Sequence, residues 1–234
     1  MGMMSKSTMI RSILVLEENR VTRGGLILPG MEGCQKMKIR IAVLVSGRGS
    51  NLLSLIQQAN QPESSFEIIC VISNRTGAGA VDHAQKALIP TQVIDEKDPR
   101  QFAMRVDPLL SDASIDLIVL AGFMRILDAA FVERWANRII NIHPSLLPDF
   151  PGLHPHRQAL QAGVTYSGCT VHYVIPEVDA GPIIAQAVVD VHKDDTEDAL
   201  AARILELEHQ LYPLVIDTLS RALLKQREAS DTSG

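Results

Sequence analysis

Asn141 and His143 stand two positions apart in NIHPSLLPDFPGLHPHRQAL (residues 141–160), which holds three of the chain's seven histidines and four of its twelve prolines. On an extended strand two such residues face the same side and can reach one reacting centre. An asparagine amide donates to an oxygen that gains negative charge, and an imidazole moves protons near neutral pH. Neither is a good nucleophile here, so the pair suits direct attack of a substrate nucleophile through a tetrahedral intermediate. Pro144, Pro148 and Pro151 restrict the backbone leaving the pair, and rigid presentation is what electrostatic catalysis requires. A carboxylate beside the histidine would favour its charged form. Asp179, on the glycine-bearing turn PEVDAG, is the candidate. Taken alone, a strand-end histidine is more often structural than catalytic. His143, His154 and His156 match no standard zinc spacing, so no metal is expected. A Ser–His–Asp hydrolase needs a nucleophile elbow, and SGRGS does not supply one.

SGRGSN (46–51) is the second chemical feature. Glycines between a strand and a helix let the backbone approach a ligand, and the first-turn N–H groups of the helix favour an anion. The loop lacks both the third glycine of a dinucleotide fingerprint and the GK[ST] ending of a P-loop. A single phosphate on a small substrate fits it better; an ordinary strand-to-helix turn capped by Ser50 and Asn51 is the alternative.

These groups need a scaffold, and from Lys38 the chain alternates the elements of one. Strands are expected at KIRIAVLVS (38–46), EIICVIS (67–73), TQVID (91–95), IDLIVLAG (115–122) and RIINIH (138–143). Helices are expected at 49–59 and 80–88, and around 99–111 and 128–136. This order predicts an α/β fold: a mostly parallel twisted sheet with helices on both faces. After Gly163 the texture becomes β-rich. GCTVHYVI (168–175) and PIIAQAVVDV (182–191) could pair antiparallel before one long helix from Thr196 to about Leu224, kinked at Pro213. One domain over 38–224 is expected. Residues 1–37 form an extension, mobile or an edge hairpin, and residues 225–234 a polar disordered tail.

Composition narrows the partners. The net charge is −5 and aromatics are 4%, against a basic footprint or stacking platform for nucleic acid. No apolar run reaches the ~18 residues of a membrane span. Three scattered cysteines suit a reducing cytoplasmic setting.

SGRGSN, AGFMRIL, NIHPSLLPDFPGLHPHRQAL, GCTVHYVIPEVDAGPIIAQ and EHQLYP together resemble the phosphoribosylglycinamide formyltransferases, in that family's order, over roughly residues 38–222. The resemblance implies a Rossmann-like formyltransferase fold. It implies small-molecule substrates, glycinamide ribonucleotide and 10-formyltetrahydrofolate, the latter as co-substrate. By position it implies that Asn141, His143 and Asp179 are catalytic, with Asn141 also at the folate. It implies that Gly49, Ser50, Asn51 and Glu208 hold the ribonucleotide, and that Met124, Arg125, Ile126 and Leu127 grip the pterin, partly through backbone groups, with Phe123 on the apolar wall. Arg100 is the nearest match to a folate-binding arginine, although its offset from Phe102 is shifted. Leu205 stands where some relatives carry a polar contact. A monomer or homodimer in the cytoplasm is expected, with no nucleic acid and no membrane. Methionyl-tRNA formyltransferase would need a further domain and a basic surface. Formyltetrahydrofolate deformylase would need a regulatory domain longer than residues 1–37 and has no use for a phosphate loop. Sugar formyltransferases are a smaller alternative. A non-catalytic nucleotide-binding module would have no use for Asn141, His143 and Asp179 together.

Overall fold

The computed structural model describes residues 37–232. The extension expected over 1–37 lies outside them, apart from Met37. Five strands run parallel in one sheet: β1 (Ile39–Val45), β2 (Phe66–Ser73), β3 (Thr91–Val93), β4 (Leu117–Leu120) and β5 (Ile139–His143). Two antiparallel strands, β6 (Tyr166–Tyr173) and β7 (Ile183–Asp190), complete the order β3-β2-β1-β4-β5-β6-β7. The expected α/β sheet and its β-rich C-terminal part are both present.

Period-two side chains explain why the sheet is covered twice. In β1, Ile41, Val43 and Val45 join one apolar cluster while Ala42 and Leu44 join the other. The first cluster receives α1 (Ser50–Ala59), α2 (Gly79–Lys86), α5 (Pro155–Ala162) and α6 (Glu197–Asp231). The second receives α3 (Pro99–Asp112) and α4 (Ala129–Arg134). Buried on both faces, the central strands read as near-continuous apolar runs, LIVL in β4 and IAVLV over 41–45 in β1.

Two elements differ from the sequence-based expectation. Helix α5 was not expected, although Pro155 stands in its first turn and Gly163 closes it with φ 63°, the usual proline-in, glycine-out asymmetry. Helix α6 passes Pro213 and continues to Asp231, through residues expected to be a disordered tail. Tertiary contacts hold it. Buried Tyr212 reaches the carbonyls of Leu120 and Ile140, each at 3.0 Å. Asp217 accepts from the Ser65 N–H at 2.8 Å, and Arg227 pairs with Asp116 at the start of β4.

From β1 the chain winds outward to β2 and β3, then returns to place β4 on the other side of β1. The crevice between the carboxyl ends of β1 and β4 is therefore the switch point where open α/β sheets bind ligands. SGRGSN leaves β1 there, and AGFMRIL leaves β4.

Candidate active site

Strand β5 delivers Asn141 and His143, and antiparallel pairing sets His172 of β6 opposite Asn141 and Thr170 opposite His143. The turn between β6 and β7 then folds Asp179 back over them. Asp179 has φ 52°, a left-handed conformation that Asp tolerates better than most residues and that recurs at functional sites. Gly181 is required beside it, because a Cβ there would lie 1.8 Å from the Tyr173 carbonyl oxygen.

The expected three groups are linked through a fourth. His143 Nδ1 lies 3.3 Å from Asp179 Oδ2. Its Nε2 lies 3.0 Å from the Phe150 carbonyl. The Phe150 carbonyl can only accept, so Nε2 carries a hydrogen, and Asp179 stands within ion-pairing distance on the Nδ1 side of the ring. Asn141 reaches Asp179 only by way of His172. Its Nδ2 is 3.2 Å from His172 Nε2, and that same nitrogen is 3.6 Å from Asp179 Oδ1. His172 Nδ1 is 2.9 Å from the Tyr173 carbonyl, so Nδ1 carries the hydrogen and Nε2 accepts from Asn141. Burial pushes the Asp179 carboxyl up, while the Gly152 N–H at 2.8 Å and nearby His143 pull it down, and the balance lies below the ordinary carboxylate range. It is ionised at neutral pH.

Sequence reasoning missed His172. Its signal was the alternation Thr170, Val171, His172 in a β-rich run, which puts two polar side chains on one strand face. That face meets Asn141 and His143 only once the strand pairing is known. The segment after His143 is held as the prolines suggest. Thr170 Oγ1 donates to the Ser145 carbonyl at 2.7 Å and accepts from Leu147 N–H at 3.0 Å and Gln186 Nε2 at 2.9 Å.

At the other end of the crevice, Gly49 caps α1 with φ 84°, and no side chain occupies the first-turn N–H groups. A Cβ on Gly49 would meet Ala80 Cα at 2.6 Å, so only glycine fits. Ser50 and Asn51 follow on that first turn. Asn51 Nδ2 donates to Glu208 Oε2 at 2.7 Å, and its own Oδ1 is buried without a partner. Burial lifts the Glu208 carboxyl to about 7 against the lowering effect of that bond.

Met124, Arg125, Ile126 and Leu127 follow β4. Met124 is 72% exposed and Ile126 65%, while Leu127 is buried. The Arg125 side chain turns to the Glu96 carbonyl and Asp95, while Met124 and Ile126 on either side of it face solvent. Phe123 stacks on Phe102 at 5.6 Å. Arg100 is exposed in the first turn of α3 and is not joined to the other candidates by any bond among the described residues. No group of three or more metal-ligating side chains able to hold an ion occurs among the described residues. A separate concavity of about 320 Å³ between α1 and α6, with Ser54, Gln57, His209 and Leu214 in its walls, contains none of the expected site residues.

Residues 39–216 match the formyl transferase family, and the chain belongs to it. Phosphoribosylglycinamide formyltransferase of Escherichia coli is 42% identical over 197 residues, covering 81% of this chain and 91% of that protein. The crystal structure of phosphoribosylglycinamide formyltransferase from Anaplasma phagocytophilum superposes with a TM-score of 0.74 at 47% identity, over 79% of this chain and 87% of that one. The human trifunctional purine biosynthetic protein adenosine-3 is 45% identical over 83% of this chain, which spans only 20% of its length.

Proposed function

We propose that this chain transfers the formyl group of 10-formyltetrahydrofolate to the glycyl amine of glycinamide ribonucleotide. The observation that carries the reading is the linked set Asn141–His172–Asp179–His143 at the carboxyl end of β5, on the sheet whose switch point holds the SGRGSN turn. The E. coli relative named for this reaction adds support at 42% identity. No helix among the described residues is long and apolar enough to cross a membrane. The free thiols Cys70 and Cys169 agree with the cytoplasm as the setting.

The donor set fits both substrates. Gly49, Ser50 and Asn51 offer first-turn N–H groups to the ribonucleotide phosphate, and Glu208 stands next to them as an acceptor for hydroxyls. Met124, Ile126, Leu153 and Val178 are exposed apolar side chains suited to the faces of a pterin and its ring-bearing tail. Bound formyl folate supplies an electrophilic formyl carbon. As the glycyl nitrogen bonds to that carbon, the formyl oxygen becomes negative. Asn141 has one N–H committed to His172 and a second free to donate to this oxygen. His143 donates from Nε2 by exchanging the Phe150 carbonyl for the oxyanion. Asp179 fixes the aim of the ring from its Nδ1 side. When the bond from the formyl carbon to the folate nitrogen breaks, the amine has lost one proton and the folate nitrogen has gained one. His143 and Asp179 are the groups placed to carry it.

The test is spectroscopic detection of tetrahydrofolate release. Release is expected only when both formyl folate and glycinamide ribonucleotide are present. Release without the amine would make the protein a deformylase, and no release under any condition would make it a non-catalytic binding module.

A further inference from the structure

Four neighbouring strand ends meet in a polar cluster built around buried Ser46 and Asn74. Ser46 follows β1, Asn74 follows β2, Asp95 and Glu96 follow β3, and Met124 and Arg125 follow β4. Ser46 and Asn74 are both buried. Ser46 Oγ accepts from the Met124 N–H at 2.8 Å. The orientation of the Asn74 amide follows from its neighbours: Arg125 Nε–H can only donate and the Val45 carbonyl can only accept. The amide oxygen therefore accepts from Arg125 Nε at 2.6 Å, and the amide nitrogen donates to Ser46 Oγ at 2.6 Å and Val45 O at 3.1 Å. Arg125 also donates to the Glu96 carbonyl and pairs with Asp95 at 3.5 Å.

The cluster has a directional consequence. Both ends of the Met124–Arg125 pair are tied inward, one by its backbone N–H and one by its guanidinium. The flanking side chains Met124 and Ile126 are thereby turned out to solvent. Asn74 is the joint, because among the described residues it alone bonds both Ser46 and Arg125.

We propose that Asn74 is a positioning residue for the formyl donor, holding the 124–127 segment in its binding conformation through Ser46 and Arg125. This rests on the functional reading above. Asn74 touches neither the reacting groups on β5 and the β6–β7 turn nor the first-turn N–H groups of α1. Its loss should therefore raise the donor KM selectively.

The experiment is steady-state kinetics on Asn74→Ala, Arg125→Ala and the double variant, with wild type alongside. Asn74→Ala is expected to raise the KM for 10-formyltetrahydrofolate about tenfold, the scale of one hydrogen bond to a charged group. The KM for the ribonucleotide should stay within about twofold and kcat within about threefold. The double variant should be no worse than the poorer single, because both substitutions break one linkage. If Asn74→Ala does not fold, Asn74→Leu keeps the side-chain volume, removes the same bonds to Ser46 and Arg125 and carries the same expectation. A purely structural role would lower thermal stability and the active fraction while leaving the donor KM unchanged, and that result overturns the proposal alone. Strictly additive effects in the double variant overturn it as well. Wild-type protein that releases no tetrahydrofolate overturns the functional reading and this proposal with it.

Discussion

Asn141 and His143 each offer a donor to one developing charge, and removing an oxyanion donor typically costs ~10²–10³ in rate. Asn141→Ala and His143→Ala are each expected to lower kcat by at least that factor. Their melting temperatures should stay close to wild type, since the sheet beneath them is secured by its own ladder; near-normal turnover in either would remove its role. His172 meets the Asn141 amide at 3.2 Å, so its effect on the reaction is expected to pass through Asn141. His172→Gln keeps an acceptor for the Asn141 amide and should retain most activity. His172→Leu frees that amide to rotate and should lower kcat roughly tenfold, the effect of one lost hydrogen bond. Equal activity in the two variants would mean that His172 does not orient Asn141.

The turn from β1 into α1 shows how an element can offer donors for an anion from backbone alone. Gly49 takes a left-handed turn that places it against α2, and no side chain caps the first-turn N–H groups. Gly49→Ala adds the ~1–2 kcal/mol of a left-handed L-residue to a backbone clash with Ala80. Relaxing that clash must shift the loop or α2. Kinetics should show a ribonucleotide KM raised about tenfold or more with a nearly unchanged donor KM. An unchanged ribonucleotide KM would place the phosphate elsewhere. The β6–β7 turn works by a similar close approach, with Gly181 against Tyr173 aiming Asp179 back over β5.

Across the whole molecule, the bond from Asn51 to Glu208 ties the first helix of the fold to the last. Glu208 titrates at about 7 instead of the ordinary 4.5 because it is buried. The folded state therefore holds a proton that the unfolded chain has released between those two values. Stability must fall as pH rises through that window and level off above about 7. At about 1.4 kcal/mol per unit, the loss is up to about 3 kcal/mol. Glu208→Gln removes the titration, so its melting temperature should exceed that of wild type at pH 8 and match it near pH 4. A constant offset across that range would assign the pH dependence to other groups.

How much of this was legible beforehand follows from the range of each interaction. Strand and helix identities, the alternating order and the doubly covered sheet depend on apolar spacing within a few residues, and the sequence displays that spacing directly. Asn141 and His143 were readable as a pair because two positions on one strand necessarily share a face. SGRGSN was readable because a strand-to-helix turn is local. The meeting of Asp179 with His143, the insertion of His172 between Asn141 and that carboxylate, and the Asn74 joint between strand ends all depend on register between distant segments. The continuation of α6 past Leu224 likewise rests on Arg227 finding Asp116, more than a hundred positions earlier in the chain. Local periodicity carries no information about such pairings. Only the packed sheet sets which residues lie opposite one another, because a slip of one position would turn every side chain of a strand to its other face.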